Sequence, residues 1–108
     1  MTRALHVDEN TFKGEVLNAI QPVVVDFWAA SASPDQTLAP VLEEIRHEMG
    51  GRLKIVRVNV DDNPSLANHY HVESVPTLIY FLNGLVHDQT IGPASKQDIL
   101  SKIRALPR

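Results

Sequence analysis

The chain has 108 residues, 44% hydrophobic and 21% charged, the balance of an ordinary globular domain with one modest core. Its net charge of −3 argues against a phosphate-binding surface, so nucleic acid is not an expected partner. It contains no cysteine, which excludes disulfides, thiolate nucleophiles, zinc–cysteine sites and iron–sulfur clusters together. The opening "MTRALHVDEN" lacks the apolar core of a signal peptide, and no stretch approaches the length of a membrane span. One domain over residues 1–108, in the cytoplasm and without a membrane partner, is the expectation.

The elements alternate along the chain. "ALHV" (4–7) reads as a short strand. Asp8 or Asn10 then caps a helix that presents Phe12, Val16, Leu17 and Ile20 on one face. "VVVDFW" (23–28) is β-branched and apolar on both faces, as a central parallel strand should be. A helix is expected from Pro34 to about Met49, with Leu38, Val41, Leu42, Ile45 and Met49 at helical spacing. Pro40 kinks it, and Gly50-Gly51 ends it.

"LKIVRVNV" (53–60) is the next strand, and Asn63-Pro64 opens a short helix with a capping residue and a first-turn proline. "TLIYFL" and "LVHDQTI" flank Asn83-Gly84, the signature of a hairpin with a type I′ turn. Ser95 begins a last helix with Ile99, Leu100, Ile103 and Leu106 inward, and Lys102 and Arg104 in its final turn suit the helix dipole. The order βαβαβαββα predicts an α/β fold, a central mixed sheet with helices on both faces.

Three separated stretches carry a resemblance: "VVVDFWAAS…P…TLAPVLEEI", "VNVDDNPSLANHYHVESVPTLIYFLNG" and "IGPASKQDIL". Over nearly its whole length the chain resembles the thioredoxins, and the resemblance implies the thioredoxin fold. It departs from them at one place. Where thioredoxins carry Trp-Cys-Gly-Pro-Cys, this chain has Ser31, Ala32, Ser33, Pro34 and Asp35. The two redox-cysteine positions are thus Ala32 and Asp35. Neither a methyl group nor a carboxylate can attack a disulfide as a thiolate does. No disulfide oxidoreductase activity is expected.

As local structure the stretch is a well-capped helix start: Ser33 as N-cap, Pro34 at the first helical position, and Gln36 completing a capping box. A new polar site of Ser31, Ser33 and Asp35, or a surface used only for its shape, are the other readings. In the family the proline matching Pro76 is cis, and the backbone before it, here Val75, pairs with an extended client segment. The resemblance therefore implies a partner groove of Trp28, Ser31 to Pro34, Val75, Pro76, Thr77, Ile91, Gly92 and Pro93.

Asp26 lies inside "VVVDFW", where an ionised carboxylate loses several kcal/mol of hydration unless paired. Family aspartates at this position lie beneath the second cysteine, which here is Asp35, so a coupled Asp26/Asp35 acid pair is one expectation. Arg57 in the neighbouring strand is the other candidate partner. Among the histidines only His69 and His71 are close in sequence, too few for a metal site. No cofactor and no metal are expected.

These readings make the chain a redox-inactive, thioredoxin-like module that binds a protein or peptide as adaptor, chaperone-like protein or complex subunit. A monomer or weak dimer is expected. An enzyme of non-thiol chemistry using Asp26 and Asp35 is the alternative, and a third reading places the chain in redox homeostasis on family likeness alone.

Overall fold

The computed structural model describes residues 5–30 and 38–107. The expected helix start at Ser33 and Pro34, and every expectation on residues 31–37, lie outside them.

Five strands form one mixed sheet in the order β1-β3-β2-β4-β5. They are β1 (Leu5–His6), β2 (Val23–Trp28), β3 (Lys54–Asn59), β4 (Thr77–Leu82) and β5 (Leu85–Ile91). β1, β3 and β2 run parallel, and β4 and β5 run antiparallel to β2 and to each other. The parallel half places β2 at the centre, where five of its six residues are buried. That explains the continuous apolar run in its sequence.

Alternation along β2 divides the core in two. Val24 faces a cluster with Leu38, Leu42 and Ile45 of α1 (Leu38–Met49) and Ile99 and Ile103 of α3 (Lys96–Arg104). Val23, Val25 and Phe27 face the other cluster, with Phe12 and Val16. Leu66 of α2 (Pro64–His69) and Tyr70 pack against that second cluster. Helical segments therefore cover both faces. Each wholly buried aliphatic or aromatic side chain contributes about 1.5–3 kcal/mol.

Three expectations are corrected at the level of single elements. The first helix is a single π-helical turn, Lys13–Leu17, and Ile20 lies beyond it, 90% exposed. The helical spacing that put Ile20 on the buried face breaks down because the turn ends before reaching it. Phe12 stands at the N-cap of the π-helical turn with no side-chain bond, while Asp8 serves the turn just ahead of it, its Oδ1 accepting from the Asn10 and Thr11 amides at 2.9 and 3.0 Å. Asn63 precedes α2, as its position suggests, but makes no side-chain cap bond. Its Oδ1 instead accepts from the Glu9 amide at 3.2 Å, and the Ser65 amide in the first turn of α2 donates to Glu9 Oε2. A carboxylate from a distant loop thus does the capping, and ties the loop after β1 to the loop after β3.

Elsewhere local chemistry and structure agree. Ser95 caps α3, with Asp98 completing a reciprocal capping box. Asn83 and Gly84 both adopt positive φ, 54° and 78°, which the type I′ turn requires. A side chain at Gly84 would place Cβ 2.9 Å from the Leu17 carbonyl oxygen, so the hairpin tip packs closely on the π-helical turn.

Candidate functional site

Strand register lines up one row of side chains across the sheet. His6 pairs with Arg57, Arg57 with Asp26, Asp26 with Leu78, and Leu78 with Thr90. Paired residues point to the same face, which brings Arg57 against Asp26. Arg57 Nε donates to Asp26 Oδ2 at 3.0 Å. Asp26 is wholly buried, and its Oδ1 has no hydrogen-bond partner among the described residues. Burial pushes the Asp26 carboxyl up to about 6, while the Arg57 charge and hydrogen bond pull the other way.

Two residues further along β2, Trp28 receives the same guanidinium, whose carbon lies 4.7 Å from the ring centroid. The His6 ring meets the indole edge-on at 6.2 Å. Trp28 is thus part of a packed row, and its Nε1 is buried without a partner among the described residues.

Beside this row the loops after β1 and β3 enclose a groove of about 570 Å³, walled by Asp8, Glu9, Asn59 and Asp62 over Trp28 and Arg57. None of its polar wall was legible as a site in the sequence, since those residues come from separate segments with no recurring spacing. Most of that wall is already engaged. Asn59 Oδ1 accepts from the Asp61 amide, and Asp8, Glu9 and Asn63 hold the loops together.

The end of β4 brings together the other predicted residues. Thr77 pairs with Phe27 on one side and with Ile91 on the other. The Val75–Pro76 peptide is cis, and the Pro76 carbonyl accepts from the Gly92 amide at 2.8 Å. Thr77 Oγ1 donates to the Ser74 carbonyl at 2.7 Å. Val75 and Pro76 are half-buried, Thr77 is buried, and Ile91 and Pro93 are exposed. The two segments 75–77 and 91–93 thus form one surface beside the end of β2. Ser31, Ala32, Ser33, Pro34 and Asp35 lie outside the described residues, so the Asp26 partner on view is Arg57. Among the described residues no three histidine or carboxylate side chains gather as a metal set. No helix among them is long and apolar enough to cross a membrane.

Comparison with known proteins agrees with this geometry. The thioredoxin family model matches residues 3–105. Thioredoxin 1 of Nostoc sp. is 43% identical over 96 residues, 89% of this chain and 90% of the relative. The thioredoxin of Rickettsia felis is 39% identical over 100 residues, covering 93% and 95% of the two chains, and that of Griffithsia pacifica 39% over 98 residues, covering 91% and 90%. With the sheet order, the two packed faces and these matches in hand, the chain belongs to the thioredoxin family, as a member that lacks both redox cysteines.

Proposed function

We propose that the chain is a redox-inactive thioredoxin-like protein that binds a protein or peptide partner along the surface formed by Val75, Pro76, Thr77, Ile91, Gly92 and Pro93. One observation carries the reading: a chain with no thiol anywhere keeps this backbone-lined surface, with Ile91 62% exposed beside it. Disulfide exchange needs an attacking thiolate and a second thiol to release the product, so the reading includes no such activity. An extended partner segment would pair with the Val75 backbone in the manner of an added strand, which needs no redox chemistry. The reading extends to a role as adaptor, chaperone-like protein or complex subunit in the cytoplasm.

The non-thiol enzyme is disfavoured by the placement of its proposed acid. Asp26 has no exposed surface and is held by Arg57, so a substrate has no path to it in this conformation.

Affinity purification from the cells that make the protein, followed by amide chemical-shift mapping with the recovered partner, tests the proposal. A stoichiometric partner whose addition shifts the amides of Val75, Thr77, Ile91 and Gly92 is the expected result. A partner that leaves those amides unmoved, or no partner together with turnover of a small molecule, overturns it.

A further inference from the structure

At the opposite end of the sheet from Trp28 and Pro76 lies a second cleft. Pro22, which leads into β2, and Met49 and Arg52, which lead out of α1 into β3, form one side of it. Ile103, Arg104, Leu106 and Pro107 at the end of α3 form the other. The cleft measures about 230 Å³. Its floor is apolar, with Ile103 and Leu106 belonging to the core, and Arg52 and Arg104 stand exposed on its rim.

Among the described residues, Lys13, Arg52 and Arg104 are the basic side chains without an ion pair, and the two arginines flank this one cleft. Among the described residues, Arg46, Lys54, Arg57, Lys96 and Lys102 each pair with a carboxylate. Arg52 and Arg104 do not: among the described residues Arg104 forms no ion pair, and Arg52 Nε donates only to the Met49 carbonyl, at 3.3 Å. That bond holds Arg52 at the lip of the cleft. Acidic residues outnumber basic ones in this chain, 13 to 10, so carboxylates are not scarce. A basic residue in the last turn of a helix suits the helix dipole, which accounts for Arg104 by itself. Arg52 likewise serves a helix end, through the Met49 carbonyl; what neither role explains is that both arginines flank one apolar floor.

We infer that this cleft docks an acidic, apolar segment of a protein partner, with one aliphatic side chain on the Ile103–Leu106 floor and flanking carboxylates on Arg52 and Arg104. Arginine presents a planar fork that matches a carboxylate. The cleft is smaller than the roughly 300–1,000 Å³ of sites that enclose a drug-sized ligand, which favours a docked side chain over a buried small molecule. The inference goes beyond the proposed function, because the cleft shares no residue with the surface at Pro76 and is tested without it.

The test is amide chemical-shift mapping of the whole chain with three short probes: acetyl-Glu-Leu-Glu-Leu-amide, its Lys-Leu-Lys-Leu counterpart, and Glu-Ser-Glu-Ser. Decanoate serves as a fourth probe. The first peptide is expected to shift the amides of Met49, Arg52, Ile103 and Leu106 in a saturable way, and the other peptides to leave them unmoved. Arg52→Gln and Arg104→Gln each weaken that binding about two- to fivefold, the effect of one exposed ion pair. Both residues are exposed, so the variants keep the fold. Equal binding of the lysine peptide, unchanged affinity in both variants, no shift at the cleft, or binding of decanoate without the acidic peptide overturns the inference. Shifts confined to Val75–Thr77 and Gly92 do so as well, while supporting the proposed function.

Discussion

The Asp26 carboxylate is wholly buried and takes its one hydrogen bond among the described residues from Arg57, whose guanidinium also covers the Trp28 ring. One cation therefore serves a buried acid and an indole together. The acid still carries a cost. Desolvation lifts its folded-state pKa to about 6 despite Arg57.

Because the folded value lies above the unfolded value of about 3.9, the native state holds this proton longer. The contribution to stability is full below about pH 4 and is lost as pH rises through the folded value, about 6. The difference corresponds to roughly 3 kcal/mol at most. Asp26→Asn keeps the shape without the charge. It is expected to stabilise the protein by about 1–3 kcal/mol at pH 8 and to change little at pH 4. Urea unfolding of both proteins at the two pH values checks this. A variant less stable at pH 8 would mean that the ion pair with Arg57 outweighs the desolvation of Asp26.

Without a thiol the chain has no group to attack a disulfide. Insulin reduction, driven by dithiothreitol or by a thioredoxin reductase, is expected to proceed at the rate of the protein-free blank. A rate clearly above the blank refutes the redox-inactive reading.

Gly84 sits at φ 78°, and a Cβ there would come 2.9 Å from the Leu17 carbonyl oxygen. Gly84→Ala meets both a left-handed backbone and a backbone collision, so a loss of about 2 kcal/mol or more is expected in thermal or denaturant unfolding. Asn83→Gly, at φ 54°, is the control and should change stability by only a few tenths of a kcal/mol. Equal effects at the two positions would show that the hairpin tip does not rest on the π-helical turn.

Tyr80 is wholly buried in β4, and its hydroxyl meets Thr90 Oγ1 at 2.9 Å across the β4–β5 pair. Tyr80→Phe keeps the ring and deletes that bond, so a loss of about 0.5–1.5 kcal/mol is expected. The same loss in Thr90→Val, and no further loss in the double variant, would assign the effect to the pair.

Local chemistry was enough for much of the fold. The apolar run of β2, the Asn-Gly turn between β4 and β5 and the Ser95 cap each depend on neighbours within a few residues, and each lies where its pattern placed it. The missing cysteines were likewise plain in the sequence, and with them the lack of the thiols that disulfide exchange requires. Tertiary structure decided the rest. Ile20 fits a helical face by spacing, yet the π-helical turn stops short and leaves it in solvent. Asn63 has the chemistry of a cap, but Glu9, 56 residues from Ser65, supplies the bond. Sequence allowed Arg57 as a partner of Asp26, and the register of β2 on β3 made it so. The cleft between Arg52 and Arg104 joins the ends of α1 and α3, elements half the chain apart. Spacing along the chain records only what one element does by itself, whereas pairings between elements follow from how the sheet is ordered and how the helices pack upon it.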